Sequence, residues 1–133
     1  MKIYSHLSNE FRLLDYSPSH SQLLIRSMRT KNREYNIDIV FKGVLAMLVT
    51  DRINGIEISL SVPNTDNTFL TRDFGFKQNK EDKIFLLKTI EGQIFYINAD
   101  SFGVYHNKLD ILETSIGRYD IENLGENVLW FAE

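Results

Sequence analysis

The chain of 133 residues contains no cysteine, which excludes a disulfide framework, a thiolate nucleophile and any cysteine-ligated metal site. It has no apolar run approaching the roughly 20 residues that cross a bilayer as a helix. Its opening stretch, MKIYSHLSNE, turns polar too soon to serve as the apolar core of a signal peptide. A soluble, cytoplasmic protein with no membrane attachment is therefore expected. The seven glycines are scattered, and none falls into the G-x-x-x-x-G-K-[ST] or G-x-G-x-x-G spacing that lets backbone amides cradle phosphates. A G-x-S-x-G nucleophile elbow is also missing. His6, His20 and His106 are too dispersed for H-x-x-x-H or H-E-x-x-H, so neither a metal nor a cofactor is expected. No catalytic residue is assigned.

What the chain does have is ordinary globular composition, 43% hydrophobic and 25% charged, at a length suited to one domain spanning residues 1 to 133. Its clearest pattern is alternation with period two, which sends one set of side chains inward and the other toward solvent. In GIEISLSV, Ile56, Ile58, Leu60 and Val62 point one way, and Glu57, Ser59 and Ser61 the other. In YNIDIVFKG, Tyr35, Ile37, Ile39 and Phe41 oppose Asn36, Asp38, Val40 and Lys42. Gly43 then interrupts, and a bend or change of sheet is expected there. Asn54-Gly55, in DRING, is read as a turn.

Further strands are expected at 11 to 16, 22 to 28, 83 to 90, 93 to 99, 102 to 107, 109 to 115 and 127 to 132, where aromatic and β-branched residues concentrate. Short connections, including Glu91-Gly92 and the weaker Asn107-Lys108, imply antiparallel neighbours. The expected fold is mainly β: seven to nine short antiparallel strands as a sandwich or partly open barrel, with at most one or two short helices. An α+β arrangement is the alternative. Residues 63 to 82 are expected either to hold a short helix, capped by Thr65, Asp66 or Asn67, or to form a functional loop, and a second place for a short helix is near 119 to 125.

Candidate chemistry is sparse. DYSPSHSQLL gathers Asp15, Ser17, Ser19, His20 and Ser21, but neighbours on a strand diverge and neighbours in a tight loop face water, so a hairpin loop is the reading. RSMRTKNR presents Arg26, Arg29, Lys31 and Arg33 as a charged hairpin tip. One adjacent aromatic, Tyr35, and an acidic sequence pI near 5.6 do not make a nucleic-acid surface, and no nucleic-acid ligand is expected. Asp110, Glu113, Asp120, Glu122 and Glu126 are read as a solvated acidic face.

Charge is uneven. Residues 1 to 42 carry seven Lys/Arg against four Asp/Glu, residues 43 to 90 six against six, and residues 91 to 133 two against eight. Such a division offers complementary surfaces to another protein or a second copy. A non-catalytic interaction or inhibitory module, able to act as a homodimer, is the first functional expectation. A small-ligand-binding β barrel is the alternative, with Tyr96, Phe102, Tyr105 and His106 at its cavity. A hydrolytic enzyme using carboxylates, or His20 with His106, comes third.

Overall fold

The computed structural model describes residues 2 to 61, 67 to 117 and, by backbone alone, 127 to 131. Among the described residues are nine antiparallel strands and one short helix. The strands are β1 (Lys2–Ser17), β2 (Gln22–Ser27), β3 (Asn36–Lys42), β4 (Ala46–Leu48), β5 (Arg52–Leu60), β6 (Lys83–Lys88), β7 (Ile94–Ala99), β8 (Ser101–Asn107) and β9 (Asn127–Phe131); the helix, α1, is Thr68–Phe74. They form one sheet in the order β4-β7-β6-β5-β1-β2-β3-β8-β9. The mainly β, antiparallel expectation holds, and the sheet is not closed.

It is nevertheless strongly curled. Strands β3 and β4 are consecutive in the chain across Gly43, and β7 and β8 are consecutive across Asp100, yet β3 pairs with β8 while β4 pairs with β7. One long two-stranded ribbon therefore turns the corner between the flanks. Hydrogen bonds from Asp100 N to Lys42 O and from Leu45 N to Asn98 O, both within 2.9 Å, span the bend. Gly43 has φ of 66°, and a Cβ there would stand 2.8 Å from Asp100 Cβ. The bend expected at Gly43 is thus where the backbone leaves the pleat.

Inside the curl lies the core. Phe11 of β1, Leu23 and Ile25 of β2, Ile37, Ile39 and Phe41 of β3, Ile53, Ile56 and Ile58 of β5, Phe85 and Leu87 of β6, and Phe102 and Val104 of β8 belong to one buried cluster. Rings from Phe41, Phe85 and Phe102 meet with centroids 5.3 to 5.6 Å apart, joining strands from both flanks. The inward positions of β3 and β5 are those that alternation selected, and Val62 lies outside the described residues.

Four expectations need correction. Asn54-Gly55 lies within β5, not in a turn. Its glycine, at φ 73°, faces the irregular stretch of β1 between His6 and Glu10, where register with β5 shifts. A Cβ on Gly55 would come within 2.6 Å of Leu7 O, so the positive φ that suggested a turn serves a bulge instead. Residues 109 to 115 do not form a strand, and Asn107-Lys108 is not a hairpin. That segment crosses the outer face of β2, β3 and β8, its carbonyls taken by side chains. Accordingly Asn36 and Asp38, on the face that alternation assigned to solvent, are fully buried.

Helix α1 falls inside residues 63 to 82, where the sequence left a choice between a short helix and a loop. Asn67 is its N-cap but makes no side-chain capping bond; its amide instead donates to Ser61 Oγ at 2.9 Å. Leu70, Phe76 and Ile84 form a second buried cluster against the outer face of β6 and β7, joined by Phe69, Leu86 and Tyr96. Thr65, Asp66 and the helix expected near 119 to 125 lie outside the described residues.

Candidate functional site

The four residues expected around a ligand are dispersed. Phe102 is fully buried in the core. Tyr96 packs on α1, its ring 5.7 Å from that of Phe69. Tyr105 joins an outer cluster with Leu24, Val40 and Ile116. His106 stacks on Tyr35 at 4.0 Å, at the end of the sheet where β3 begins and β8 ends. The structure thus brings none of these four into a shared concavity.

That end holds a cluster of its own. The Arg33 guanidinium lies 6.0 Å from the centre of the Tyr35 ring. It donates to Tyr35 O, Ser27 O, Ser27 Oγ and Met28 O at 2.8 to 3.1 Å, closing the β2–β3 connection. Burial, followed by the Arg33 charge, holds the His6 and His106 pKa values below the usual 6.5. Burial also pushes the Tyr4 phenol up to about 12. Arg33 is thereby a structural clip, not a free phosphate ligand.

At the other end, the β1–β2 hairpin places Ser17 Oγ 2.8 Å from His20 Nδ1 and Ser19 Oγ 3.2 Å from the same nitrogen. The contact is real but local, closed by His20 N donating to Ser17 O at 3.2 Å. The side chains are exposed, so water competes at the hydroxyl. The imidazole nitrogen facing the serine is the one that a third group would orient in a catalytic triad. His20 and His106 sit at opposite ends of the sheet. Among the described residues, no three His, Asp or Glu side chains converge on a metal-sized site.

The most developed polar arrangement lies between these ends. Asp38 on β3 and Arg26 on β2 are direct cross-strand partners, joined by Arg26 Nε to Asp38 Oδ1 at 2.7 Å and Arg26 Nη2 to Asp38 Oδ2 at 2.9 Å. Both are essentially inaccessible to water. Asp38 Oδ2 also accepts from Asn107 Nδ2 at 2.7 Å and Ser115 Oγ at 2.8 Å. Arg26 Nη1 donates to Asp110 O, and Asn36 Nδ2 to Leu109 O. Every partner on the covering side comes from residues 107 to 115, so the network ties that segment to the sheet. Among the described residues no buried side-chain nitrogen or oxygen lacks a partner, as burial of an ion pair requires.

Where this cover stops, a cleft of about 330 Å³ opens over the outer face of β1. Leu14, Met28 and Ile111 give it apolar walls; Glu10, Arg12 and Arg29 give it charge. Arg29 is committed: its Nη1 donates to the carbonyls of Lys108 and Leu109, both at 2.8 Å, and its Nη2 lies 3.2 Å from Asp110 Oδ1. Glu10 pairs with Arg52 at 3.8 Å. Arg12 stands on β1 between Arg26 and Arg52 in cross-strand register, three guanidinium groups in a row of which the outer two have carboxylate partners. Ile111, which lines the cleft, is 57% exposed, and Leu112, next in the chain, is 87% exposed.

The basic run therefore divides in an unexpected way: Arg26, Arg29 and Arg33 bond within the protein, and Lys31 remains exposed. Asp110 is exposed, as read, and also meets Arg29 at 3.2 Å, and Glu113 Oε1 accepts from Asp110 N at 2.8 Å. Asp120, Glu122 and Glu126 lie outside the described residues. Arg12, Leu14, Met28 and Ile111 were not singled out by sequence, since no local pattern joins them. Only the β1–β2 register and the cover segment bring them together. No helix among the described residues is long and apolar enough to cross a membrane. No protein-family model, curated protein or solved structure matches the chain.

Proposed function

We propose that this protein is a non-catalytic protein-binding module, and that the cleft beside the cover segment is its docking site. The observation carrying this reading is the exposure of Ile111 and Leu112 next to a concavity with apolar walls and a charged rim. Binding surfaces combine a desolvated apolar centre with polar margins in this manner. The ligand-barrel reading draws less support, because the space inside the curl is occupied by Phe41, Phe85 and Phe102. The partner is either another protein or a second copy of this chain.

The test is affinity capture from native lysate with the wild-type protein and with Leu112→Asp, preceded by a measurement of mass in solution. Leu112 is too exposed for the substitution to disturb folding, so the melting temperature is expected to stay unchanged. A self-association or captured protein that disappears with Leu112→Asp supports the reading. A wild-type monomer that captures nothing overturns it.

A further inference from the structure

The wall of the cleft already contains a small example of what it can bind. Asp110 and Ile111 are adjacent: the carboxylate of the first rests on Arg29 at 3.2 Å, and the aliphatic side chain of the second lines the concavity. An acid beside an aliphatic group thus satisfies one cation and one apolar wall. The opposite side of the cleft repeats the receiving half of that arrangement. Arg12 is exposed, Leu14 is two residues further along β1, and both line the cleft.

Charge sharpens the choice. Among the described residues that line the cleft, Arg26 pairs with Asp38 and Arg29 with Asp110, which leaves Arg12 as the lining cation without a carboxylate partner there. A guanidinium flanked by two others gains from an incoming carboxylate, whose planar oxygens match its fork of donors. An incoming ammonium meets repulsion. A cleft of about 330 Å³ is at the lower limit of small-molecule sites and suits a few side chains of an extended segment.

Resting on the docking reading above, we propose that the occupant is an acidic segment of a partner protein in which a carboxylate lies beside an aliphatic side chain. The carboxylate pairs with Arg12, and the aliphatic group enters between Leu14, Met28 and Ile111.

The experiment uses fluorescein-labelled short peptides and anisotropy: one alternating glutamate and leucine, one alternating lysine and leucine, and one alternating glutamate and serine. The glutamate and leucine peptide is expected to bind, with the other two weaker by about tenfold or more, a difference of about 1.4 kcal/mol. Arg12→Glu is expected to abolish that preference, and added salt to weaken it. Arg12 lies on the surface and bonds to no side chain among the described residues, so the variant keeps its fold, which circular dichroism checks. Equal binding of the lysine and glutamate peptides, an Arg12→Glu variant that binds like wild type, or no binding by any peptide overturns the proposal. Capture that remains sensitive to Leu112→Asp while these peptides fail shows a docking module with a partner of different chemistry. Failure of both removes the docking reading itself.

Discussion

At Arg26 a long cationic side chain occupies an outward strand position and is nonetheless 2% exposed, because Asp38, directly opposite, and the carbonyl of Asp110 supply its partners. Removing one member of such a pair leaves the other charged and dry, which costs far more than the pair itself contributes. Arg26→Met is therefore expected to destabilise the protein by about 3 to 5 kcal/mol. The double variant Arg26→Met with Asp38→Leu should recover part of that loss, as measured by urea unfolding. Equal losses in the single and double variants would show that the stranded carboxylate is not the cause. Gly55 provides a second residue-level comparison. Its φ of 73° and the 2.6 Å approach to Leu7 O act together, whereas Gly92 has φ of 87° and nothing within 4 Å. Both Gly→Ala variants incur the cost of a left-handed backbone, about 1 kcal/mol or somewhat more. Only Gly55→Ala must also displace β1, so its denaturation midpoint is expected to fall clearly further. Matching midpoints would mean that the bulge yields freely.

Among the elements, α1 depends on packing more than on its own sequence. Seven residues are too few for an isolated helix to persist in water, and the Asn67 side chain makes no capping bond. The helix is held by Leu70, fully buried against Phe76 and Ile84. Leu70→Ala is expected to cost about 2 to 4 kcal/mol and to accelerate amide exchange at Leu70 and Phe76 before the core strands respond. Uniform acceleration throughout the sheet would contradict a separately anchored helix. The same distinction between local and distant causes explains what sequence could reveal. The inward set of β5 was legible because Ile56 and Ile58 alternate with polar neighbours, whereas α1 was legible only as a choice between helix and loop, since Phe69, Leu70, Phe74 and Phe76 could pack on the sheet in either form. The burial of Asn36 and Asp38 was not legible, since it depends on residues 107 to 115, which are more than sixty positions away. For that same reason LDILETS reads as a strand although its carbonyls bond to Arg26, Arg29 and Asn36. Gly55 shows the limit most plainly: its positive φ could be anticipated, but whether it served a turn or a bulge depended on β1 lying alongside. The cleft was invisible because its walls come from β1, the β2–β3 connection and residue 111.

For the molecule as a whole, curling one sheet into a packed interior buries long-range contacts from both flanks. The end containing His6, His106, Tyr4, Tyr35 and Arg33 links stability to pH. Burial and the Arg33 charge lower both histidine pKa values in the folded protein, while in the unfolded chain they return to about 6.5. As pH falls below that value, the unfolded chain takes up protons first, and binding more protons in the unfolded state means stability declines with falling pH. The contribution is thus intact above about pH 6.5 and is lost progressively as pH drops through the folded-state values. The melting temperature is expected to decrease between about pH 7.5 and about pH 5, before most carboxylates titrate. The double variant His6→Gln with His106→Gln should flatten that decrease. A decrease of equal steepness in the double variant would assign the acid sensitivity elsewhere. A melting temperature that rises on acidification would reverse the sign and show that Arg33 does not oppose protonation at this end of the sheet.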